Sequence, residues 1–460
     1  MSDISPTIFR AYDVRGTYPD QLNQGVVEAL GQAIGTFARG RGQSTVVTAR
    51  DGRLSGPDLQ DALNQGLIRS GVDVIDVGMV PTPVLYFAAL TLGTGSGVMV
   101  TGSHNPPDYN GFKMMIGGHT LYGDEITGLY DAIEQSNLNE GLGQITTADA
   151  LTPYLETICD DVVLEKPLKV AVDCGNGVAG VCAEQLFSRL GCEVIPLFTA
   201  VDGRFPNHHP DPSKPKNLVD VIAAVGAEAC DLGLAFDGDG DRVGVITETG
   251  QSIFADRLMM LLSEDVLSRN AGATIIYDVK CSRHLGPVIQ NAGGKPMMWK
   301  TGHSLVKAKM KETGALLAGE MSGHIFFKER WLGFDDGLYT AARLLEIFAK
   351  SEQTVSAQFD LIPNDVSTPE LNIEVLDTEK FEIVERVASI IADQGLPVST
   401  IDGVRVDLDS GWGLIRCSNT TPNLVLRFEA ESQEALETIQ STMLDALKQA
   451  EPSLELETLC

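Results

Sequence analysis

The sequence contains little that would place the protein in a membrane or in a disulfide framework. No apolar run approaches the ~18 residues that a transmembrane helix needs. The start, Met-Ser-Asp-Ile-Ser, lacks a basic region followed by an apolar core. The eight cysteines among 460 residues form no Cys-x-x-Cys pair, so neither a disulfide set nor a thiolate zinc site is indicated. We therefore expect a cytoplasmic protein that is neither secreted nor anchored.

Positive charge is also scarce. The chain has 34 Lys and Arg against 63 Asp and Glu, which gives a formal net charge of -29. Such a balance opposes nucleic acid or an anionic membrane as partner. If the substrate is an anion, its site must gather arginines and lysines locally against a repelling background.

Three common catalytic signatures are missing. The sequence has no Walker A pattern and no kinase glycine loop, which disfavours a nucleotide as phosphoryl donor. It has no Gly-x-Ser-x-Gly, which disfavours an ordinary serine hydrolase. A serine that carries its own phosphate would need no external donor.

The patterns that are present predict an α/β protein with several domains. A helix is expected over 24–39, strands over 45–49, 72–77 and 97–100, and a second helix capped by Ser55. This alternation indicates a mixed or parallel sheet, whose strand ends collect ligands. Changes of pattern divide the chain into 1–150, 151–252, 253–365 and 366–460. The last part alternates short strands and helices and predicts a small antiparallel α+β domain.

A serine follows the third of these strands. Thr-Gly-Ser-His-Asn-Pro-Pro at 101–107 places Ser103 on a tight loop with His104 beside it, and Lys113 follows ten residues later. On its own the stretch is as consistent with a surface turn, in which Ser103 bonds only its own backbone.

An acidic loop follows the strand predicted at 231–236. Asp237, Asp239 and Asp241 alternate with glycines and can converge on one Mg²⁺. Arg242 stands where an EF-hand needs glycine, and a strand precedes the loop, so we reject an EF-hand. A solvated acidic turn remains possible, although three close carboxylates repel one another without a cation.

Two further stretches carry weaker signals. Gly-Asn-Gly-Val-Ala-Gly at 175–180 follows a strand and matches the dinucleotide fingerprint, with Asp202 near the ribose position. We favour the simpler interpretation that its glycines permit a tight strand-to-helix turn. Arg-Cys-Ser-Asn-Thr at 416–420 offers a guanidinium, two hydroxyls and an amide to a phosphate, or is a solvated hairpin tip.

Five motifs together resemble the α-D-phosphohexomutase superfamily, closest to its bacterial phosphomannomutase/phosphoglucomutase branch. They are Tyr-Asp-Val-Arg-Gly at 12–16, the serine loop at 101–106, the acidic loop at 237–242, Gly-Glu-Met-Ser-Gly-His at 319–324, and the stretch at 416–420. The resemblance covers essentially the whole chain. It implies three related α/β domains and a C-terminal domain like the TATA-box-binding protein, arranged around a central cleft.

The resemblance also implies a mechanism and its residues. Ser103 would be a phosphoserine that, with the three aspartates, holds one Mg²⁺, and glucose 1,6-bisphosphate would be the activator. Hexose 1- and 6-phosphates would interconvert through a bound 1,6-bisphosphate. Charge stabilisation would fall to Arg15 and Arg242, proton transfer or phosphate binding to Lys113, His104, His303 and His324, and substrate contacts to Tyr12, Lys280, Glu320, Ser322, Arg416, Ser418, Asn419 and Thr420.

The sequence identifies the sugar substrate and the binding partners less closely than it identifies the reaction. The loop at 319–324 resembles the mannose/glucose type, whereas the glucosamine branch tends to carry Gln at the position of Met321 and Ser-Ala in place of Thr101-Gly102. The expected partners are sugar phosphates, and the expected assembly is a monomer or weak homo-oligomer. The alternatives are a phosphoglucosamine mutase, an NAD(P)-dependent oxidoreductase built on 175–180, and a non-catalytic metal-binding module.

Overall fold

The computed structural model describes residues 4–419 and 421–456. By internal contacts the chain divides into two compact units. The first comprises Met1–Ala255, Lys307–Glu312 and Ser322–Phe359, and the second comprises Asp256–Val306, Thr313–Met321 and Asp360–Cys460. Within the described residues no helix is both long and apolar enough to cross a membrane.

The first 150 residues build a mixed sheet in the order β1-β5-β4-β2-β3-β7, with β6 beside β5. The strands β2, β3, β4 and β7 run parallel to one another, whereas β5 pairs antiparallel with both β1 and β4. The strands are β1 Val14–Thr17, β2 Thr45–Arg50, β3 Asp73–Met79, β4 Gly97–Val100, β5 Tyr109–Ile116, β6 His119–Thr120 and β7 Ile145–Thr147. The helices are α1 Gln24–Gly40, α2 Gly56–Arg69, α3 Thr82–Thr91 and α4 Asp124–Glu134, after a 3₁₀ turn at Pro6–Ile8.

The core of this part lies between the sheet and helices α1, α2 and α4. Helices α1 and α2 approach closely where Gly31 faces Gly66. A Cβ on Gly66 would stand 2.1 Å from the Glu28 carbonyl oxygen, so the crossing requires glycine. The helix predicted over 24–39 is confirmed. The cap predicted at Ser55 is wrong: its hydroxyl makes no cap bond to α2 and instead accepts from Asn110 Nδ2 at 2.9 Å.

The next segment forms a five-stranded sheet in the order β12-β11-β10-β8-β9. Its strands β8, β9 and β10 are parallel, and β10 turns back antiparallel into β11. The elements are α5 Leu151–Asp161, β8 Lys169–Asp173, α6 Ala183–Arg189, β9 Glu193–Leu197, α7 Val219–Glu228, β10 Leu232–Phe236, β11 Val243–Thr247 and β12 Ser252–Ile253, with 3₁₀ turns at Val178–Val181 and Pro215–Asn217.

The third segment centres on three parallel strands in the order β14-β13-β15. Its elements are α8 Ala255–Arg269, β13 Thr274–Asp278, α9 Leu285–Asn291, β14 Lys295–Trp299, α10 His303–Thr313, β15 Leu317–Gly319, β16 Ile325–Phe327, α11 Gly337–Lys350 and α12 Val355–Asp360.

The C-terminal segment is an antiparallel sheet, as the sequence predicts. Strand β22 is central and pairs with β17, β18 and β21, and β20 and β19 continue from β21. Helices α13 and α14 pack with it around a core of its own. The elements are β17 Val366–Ser367, β18 Leu371–Glu374, α13 Lys380–Asp393, β19 Val398–Ser399, β20 Val404–Leu408, β21 Gly411–Cys417, β22 Asn423–Ala430 and α14 Gln433–Ala450.

Candidate active site

Ser103 lies on a buried loop at the carboxyl end of β4. Its backbone adopts φ 48°, a left-handed conformation that is uncommon for serine. The Ser103 amide donates to Thr101 Oγ1 at 2.8 Å. The Ser103 hydroxyl donates to Asp237 Oδ2 at 3.0 Å, and His104 Nδ1 lies 3.3 Å from it. The fold therefore brings the serine of the first sheet onto the acidic loop of the second.

The acidic loop joins β10 to β11. Asp237, Asp239 and Asp241 are fully buried and offer one oxygen each within 4.8 Å of one another. Asp239 Oδ1 and Asp241 Oδ1 have no hydrogen-bond partner among the described residues. Buried carboxylate oxygens left without donors are costly, and a hard divalent cation takes such oxygens as ligands. The three side chains therefore fit a metal.

Glycine between the aspartates lets the two loops touch. A Cβ on Gly238 would stand 2.2 Å from the carbonyl oxygen of Ser103, so no larger residue fits there. The Gly238 carbonyl in turn accepts from the Val178 amide at 3.0 Å. A Cβ on Gly177 would lie 2.9 Å from the same carbonyl oxygen.

These contacts give the glycine-rich stretch at 175–180 a structural role. Its glycines allow close backbone packing against the acidic loop, and the helix that follows, α6, has only seven residues. Asp202, placed at the ribose position of a fingerprint, instead binds Arg204 at 2.7 Å. The arrangement favours the simpler interpretation of this motif over dinucleotide binding.

Lys113 on β5 places a positive charge against two carboxylates of the acidic loop. Its Nζ donates to Asp239 Oδ2 at 2.7 Å and also to Asp241 Oδ2. Burial alone would lower the pKa of Lys113, but the two carboxylates outweigh burial and raise this pKa well above its usual value. Lys113 binds one oxygen of each carboxylate. Asp239 Oδ1 stays available to a cation, and Asp241 Oδ1 has His324 Nε2 3.4 Å away.

The pKa values of two groups at the acidic loop shift in opposite directions. Burial, together with Asp241 and Asp239, raises the pKa of Asp237 well above its usual range. Burial and the nearby Arg242 lower the pKa of His104 well below its usual value. His104 is therefore neutral near pH 7, and a cation beside Asp237 would favour the ionised form of this carboxylate.

Arg242 directly follows the last aspartate of the acidic loop and contacts His324. Arg242 Nε donates to His324 Nε2 at 3.1 Å and stands 3.8 Å from Asp237 Oδ2. His324 Nε2 also lies 3.4 Å from Asp241 Oδ1, and His324 Nδ1 lies 2.9 Å from Ser322 Oγ. Ser322, expected to contact the sugar, therefore also lies within hydrogen-bond distance of the His324 ring.

Three buried residues that the sequence analysis did not single out border this group. Asp335 lies with Asp241 and His324 in one cluster of possible ligand atoms. Lys307 Nζ contacts Asp335 Oδ1 at 2.8 Å and donates to the Tyr86 hydroxyl at 3.2 Å. Asp335 precedes α11, Lys307 is on α10 and Tyr86 on α3, so no local pattern connects them.

Arg15 lies on β1, beside the serine loop. Its guanidinium donates to Asn105 Oδ1 at 2.7 Å and to Asp13 Oδ2 at 2.5 Å. Tyr12 is half-buried in the bend before β1. The structure thus brings Arg15 to the serine loop, as expected for a residue acting near Ser103.

The second unit contains most of the residues expected to contact the substrate, whereas Tyr12 and Ser322 belong to the first unit. Glu320 accepts from the Gly302 amide at 2.6 Å, and His303, at the start of α10, is buried next to that glycine in the chain. Lys280 is buried after β13 and contacts Glu370 Oε2 at 2.9 Å. Glu320, His303 and Lys280 each follow the carboxyl end of one of the three parallel strands, so they share one edge of that sheet.

The phosphate-type motif differs partly from the expected loop. Arg416 and Cys417 end strand β21, because they pair with Val425 and Leu424 of β22, and the loop starts only at Ser418. Arg416 Nε donates to Asp402 Oδ2 at 3.0 Å, and Asn419 Nδ2 donates to the Thr301 carbonyl at 3.2 Å. Ser418 Oγ accepts from Thr421 Oγ1 at 2.8 Å. Thr420 lies outside the described residues.

A buried serine at a strand end, a carboxylate loop able to hold a cation, and arginines and lysines gathered beside them define an enzyme of phosphoryl transfer. Comparison with known proteins narrows this class. The chain matches the phosphoglucomutase/phosphomannomutase alpha/beta/alpha domains I, II and III over 6–140, 152–250 and 254–364, and the C-terminal domain over 370–446.

Relatives extend over nearly the whole chain. It is 57% identical to a phosphomannomutase/phosphoglucomutase of Pseudomonas aeruginosa, over 97% of both chains. It is 51% identical to a phosphoglucomutase of Neisseria gonorrhoeae, over 96% of both chains. A crystal structure of a phosphoglucomutase/phosphomannomutase family protein from Burkholderia thailandensis matches with a TM-score of 0.93 and 54% identity, covering 98% of this chain and 99% of that one.

The chain belongs to the phosphoglucomutase/phosphomannomutase family. This confirms the family resemblance, the fold class of three α/β domains and a C-terminal α+β domain, and the prediction of a phosphohexomutase, an isomerase.

Proposed function

We propose that the protein interconverts the 1- and 6-phosphates of mannose and of glucose through a phosphoserine at Ser103. The relatives of highest identity quoted above carry both activities in their names. The observation that carries the proposal is the 3.0 Å bond between the Ser103 hydroxyl and Asp237, in a loop whose other carboxylates have oxygens available to a cation. A phosphoryl group on Ser103 would lie beside a cation held by these carboxylates.

The reaction needs two transfers in opposite directions. In the first, the bond between phosphorus and Ser103 Oγ breaks, a bond from phosphorus to a sugar hydroxyl oxygen forms, and the hydroxyl proton passes to a base. The product is a 1,6-bisphosphate. After this intermediate reorients, its other phosphoryl returns to Ser103 and the sugar oxygen regains a proton. Water must be excluded, since it would otherwise hydrolyse the phosphoserine.

One Mg²⁺ per chain would be held by Asp237, Asp239, Asp241 and the phosphate of Ser103. When bound, it offsets the charge that builds on the transferring group. Lys113 contributes by fixing Oδ2 of Asp239 and Asp241, and Oδ1 of each carboxylate would be a ligand of the cation. Glucose 1,6-bisphosphate serves as the activator because it rephosphorylates a serine that has lost its phosphate.

Charge and proton transfer around Ser103 fall to its basic neighbours. Arg15 and Arg242 stabilise the transferring phosphoryl group. Neutral His104, 3.3 Å from the Ser103 hydroxyl, is the nearest candidate to accept the proton, and Lys113, which is protonated, can hold phosphate or return a proton. His324, held between Arg242 and Ser322, is a third. His303 completes the proposed set.

Residues of the second unit bind the sugar and its non-reacting phosphate. Glu320 reads sugar hydroxyls, as does Ser322 of the first unit, and Lys280 contacts the substrate. Asp402 orients the guanidinium of Arg416 for bidentate contact with phosphate. Substrate contacts are proposed likewise for Tyr12, Ser418, Asn419 and Thr420.

We place the domain boundaries at 1–150, 151–252, 253–365 and 366–460. The changes fall in or beside the intervals 141–151, 251–253 and 365–369, which separate the four matched family domains. Each proposed domain thereby contains at least one motif of the site, and the domain at 1–150 contains two.

Sugar specificity is tested by kinetics on three substrates. Mannose and glucose differ only in the orientation of one hydroxyl, and a site that does not read that hydroxyl accepts both. We expect similar kcat/KM values for mannose 1-phosphate and glucose 1-phosphate, and a much lower value for glucosamine 1-phosphate. A preference for glucosamine 1-phosphate would favour the phosphoglucosamine mutase alternative.

The phosphoserine is tested by mass. Phosphopeptide analysis of the active protein, after incubation with glucose 1,6-bisphosphate, should find phosphate on Ser103. Ser103→Ala should lose most turnover and still bind substrate, because its phosphate contacts lie elsewhere. Ser96→Ala removes a buried hydroxyl of the same sheet away from the site and should keep both phosphate and activity. An active protein without phosphate on Ser103 would exclude the assignment.

A further inference from the structure

The turn at residues 50–53 lies directly beneath the serine loop. It follows β2, which runs parallel to β4 with Arg50 paired to Val100, so the two loops leave the sheet at the same edge. The Asp51 amide donates to the Val100 carbonyl at 2.9 Å, which continues the pairing into the turn. Asp51 and Arg53 are each only 1% exposed.

Arg53 uses all five of its donors, four of them on one loop. Its Nη2 donates to the carbonyls of Ser103 and Asn105 at 2.8 and 2.6 Å. Its Nη1 donates to the carbonyls of Pro106 and of Tyr109, the latter at 2.8 Å. Its Nε donates to Asp51 Oδ2 at 3.2 Å. A guanidinium has five N–H groups, so none remains for a phosphate or a sugar.

Asp51 accepts hydrogen bonds from donor groups of the same loop. Its Oδ2 accepts from Thr101 Oγ1 at 2.8 Å and from the Gly102 amide at 3.2 Å. Thr101 Oγ1 in turn accepts from the Ser103 amide at 2.8 Å. Asp51 therefore reaches the Ser103 amide through one hydroxyl, while Arg53 holds the Ser103 carbonyl directly.

The space around the guanidinium is filled. A Cβ on Gly102 would stand 2.4 Å from Arg53 Nε and Cζ, so the loop crosses the guanidinium with a glycine. The ring of Phe205 lies 5.3 Å from Arg53 Cζ. The pair is thus enclosed between the turn, the loop and Phe205, and does not face the site.

We propose that Asp51 and Arg53 are positioning residues that hold the Ser103 loop in its left-handed conformation and so direct the Ser103 hydroxyl at the acidic loop. The inference rests on the proposed function, because it assigns these residues to the presentation of the phosphorylated serine. A strained backbone persists only where its surroundings over-determine it, and six hydrogen bonds from this pair and Thr101 do so here.

Arg53→Met, with Arg343→Met as matched control, tests the proposal. Arg343 is an equally buried arginine of the same unit that contacts Glu329, Tyr339, Glu346 and the ring of Phe327, away from the serine loop. For Arg53→Met we expect kcat to fall about 100-fold, because a shift of about 1 Å in a reacting group has that effect. Its KM should stay within about threefold, because the residue makes no substrate contact. Phosphorylation of Ser103 by glucose 1,6-bisphosphate should slow in parallel.

The control separates positioning from general stability. Arg343→Met should lose thermal stability but keep kcat. Equal losses of kcat in both variants, or a kcat within threefold of wild type in Arg53→Met, would overturn the proposal. If Arg53→Met does not fold, Thr101→Val decides, since it removes only the bridge from Asp51 to the Ser103 amide. A kcat loss at unchanged KM in that variant supports the inference, and unchanged kcat overturns it.

Amide hydrogen exchange keeps the inference distinct from the proposed function. If the wild-type protein turned over no hexose phosphate, the proposed function would fail, but the positioning of the loop would still be measurable. Exchange over 103–109 should accelerate by about tenfold or more in Arg53→Met and not in Arg343→Met. Equal exchange in the two variants would overturn the positioning role even in a fully active enzyme.

Discussion

At the scale of single residues, the side chains around the acidic loop hold particular carboxylate oxygens of the candidate metal site. Lys113 binds one oxygen of Asp239 and one of Asp241, and the second oxygen of each has no hydrogen-bond partner in the described chain. Thr82 Oγ1 donates to the same Oδ2 of Asp239 at 2.5 Å, which fixes that carboxylate further. The lysine therefore partly neutralises and orients the aspartates, and a bound cation would complete the charge balance.

Replacement of one of these carboxylates should weaken metal binding strongly. Asp239→Asn removes a ligand charge, and even outer-shell partners cost 10–100-fold in metal affinity, so we expect at least about 100-fold weaker binding. Isothermal titration with Mg²⁺ or Mn²⁺ measures this directly. Asp124→Asn, an exposed carboxylate at the start of α4, serves as control and should bind as wild type. Wild-type affinity in Asp239→Asn would remove this residue from the metal site.

Arg416 should act mainly on substrate affinity. If it holds the phosphate that is not reacting, it contacts ground state and transition state about equally, which changes KM more than kcat. Arg416→Ala should raise KM roughly 10- to 150-fold, as expected for loss of a charged hydrogen bond of about 1.5–3 kcal/mol. Steady-state kinetics on both 1-phosphates gives the answer.

Two further variants sharpen this measurement. Arg416→Lys should recover only part of the loss, because a lysine cannot make the bidentate contact. Asp402→Asn keeps the guanidinium but weakens the partner that orients it at 3.0 Å, and should raise KM by less than Arg416→Ala. An unchanged KM in Arg416→Ala would leave this strand end without a role in binding.

Among the elements, helix α11 depends on one buried cap. Asp336 accepts from the Tyr339 amide at 2.9 Å, from the Tyr154 hydroxyl at 2.8 Å and from Trp331 Nε1 at 3.1 Å. The residue is 1% exposed, so no water replaces these bonds. One carboxylate thus starts the helix and satisfies two aromatic donors.

Asp336→Ala should therefore cost more than an ordinary cap. An N-cap contributes about 1 kcal/mol, and each buried donor left unsatisfied costs about 1–3 kcal/mol, so we expect a loss of at least about 3 kcal/mol. Chemical denaturation measures the difference. Ser432→Ala, at the cap of α14, removes a single bond to the Ala435 amide and should cost about 1 kcal/mol. Equal costs in the two variants would refute the buried-cap argument.

At the scale of the whole molecule, the last segment has a core of its own and one face that needs a neighbour. Its apolar cluster is built from β18, β20, β21, β22, α13 and α14. Trp412 belongs to a different cluster, where it is fully buried with Leu414 and with Val279 of the preceding segment. Arg405 lies 3.9 Å over the Trp412 ring and donates to the Val279 and Cys281 carbonyls.

A fragment of residues 366–460 should therefore fold with one altered feature. We expect a cooperative unfolding transition, because the main core is complete within the fragment. Trp412, its only tryptophan, loses the Val279 contact, and its fluorescence should shift to the red relative to that residue in the full chain. A double variant Trp299→Phe, Trp331→Phe isolates the Trp412 signal in the full chain. A fragment without cooperative unfolding would show that the segment depends on its neighbour for folding.

The sequence by itself determined the elements and the motifs. Helix α1 and strand β4 end within a residue or two of their expected limits, because hydrophobic spacing and glycines act locally. The alternating Asp-Gly pattern identified the carboxylates, and five motifs in order identified the family. These signals depend only on neighbours in the chain.

Only the tertiary structure decided which groups meet. Ser103 and Asp237 are 134 residues apart, and nothing local shows that Gly238 admits the Ser103 carbonyl or that Arg53 directs all but one of its donors to the serine loop. Ser55 was expected to cap a helix, but its hydroxyl instead accepts a hydrogen bond from the buried side-chain amide of Asn110. The glycines at 175–180 matched a cofactor motif, yet they pack against the acidic loop. In each case a partner distant in sequence determines the role, and its position is fixed by packing of the whole chain.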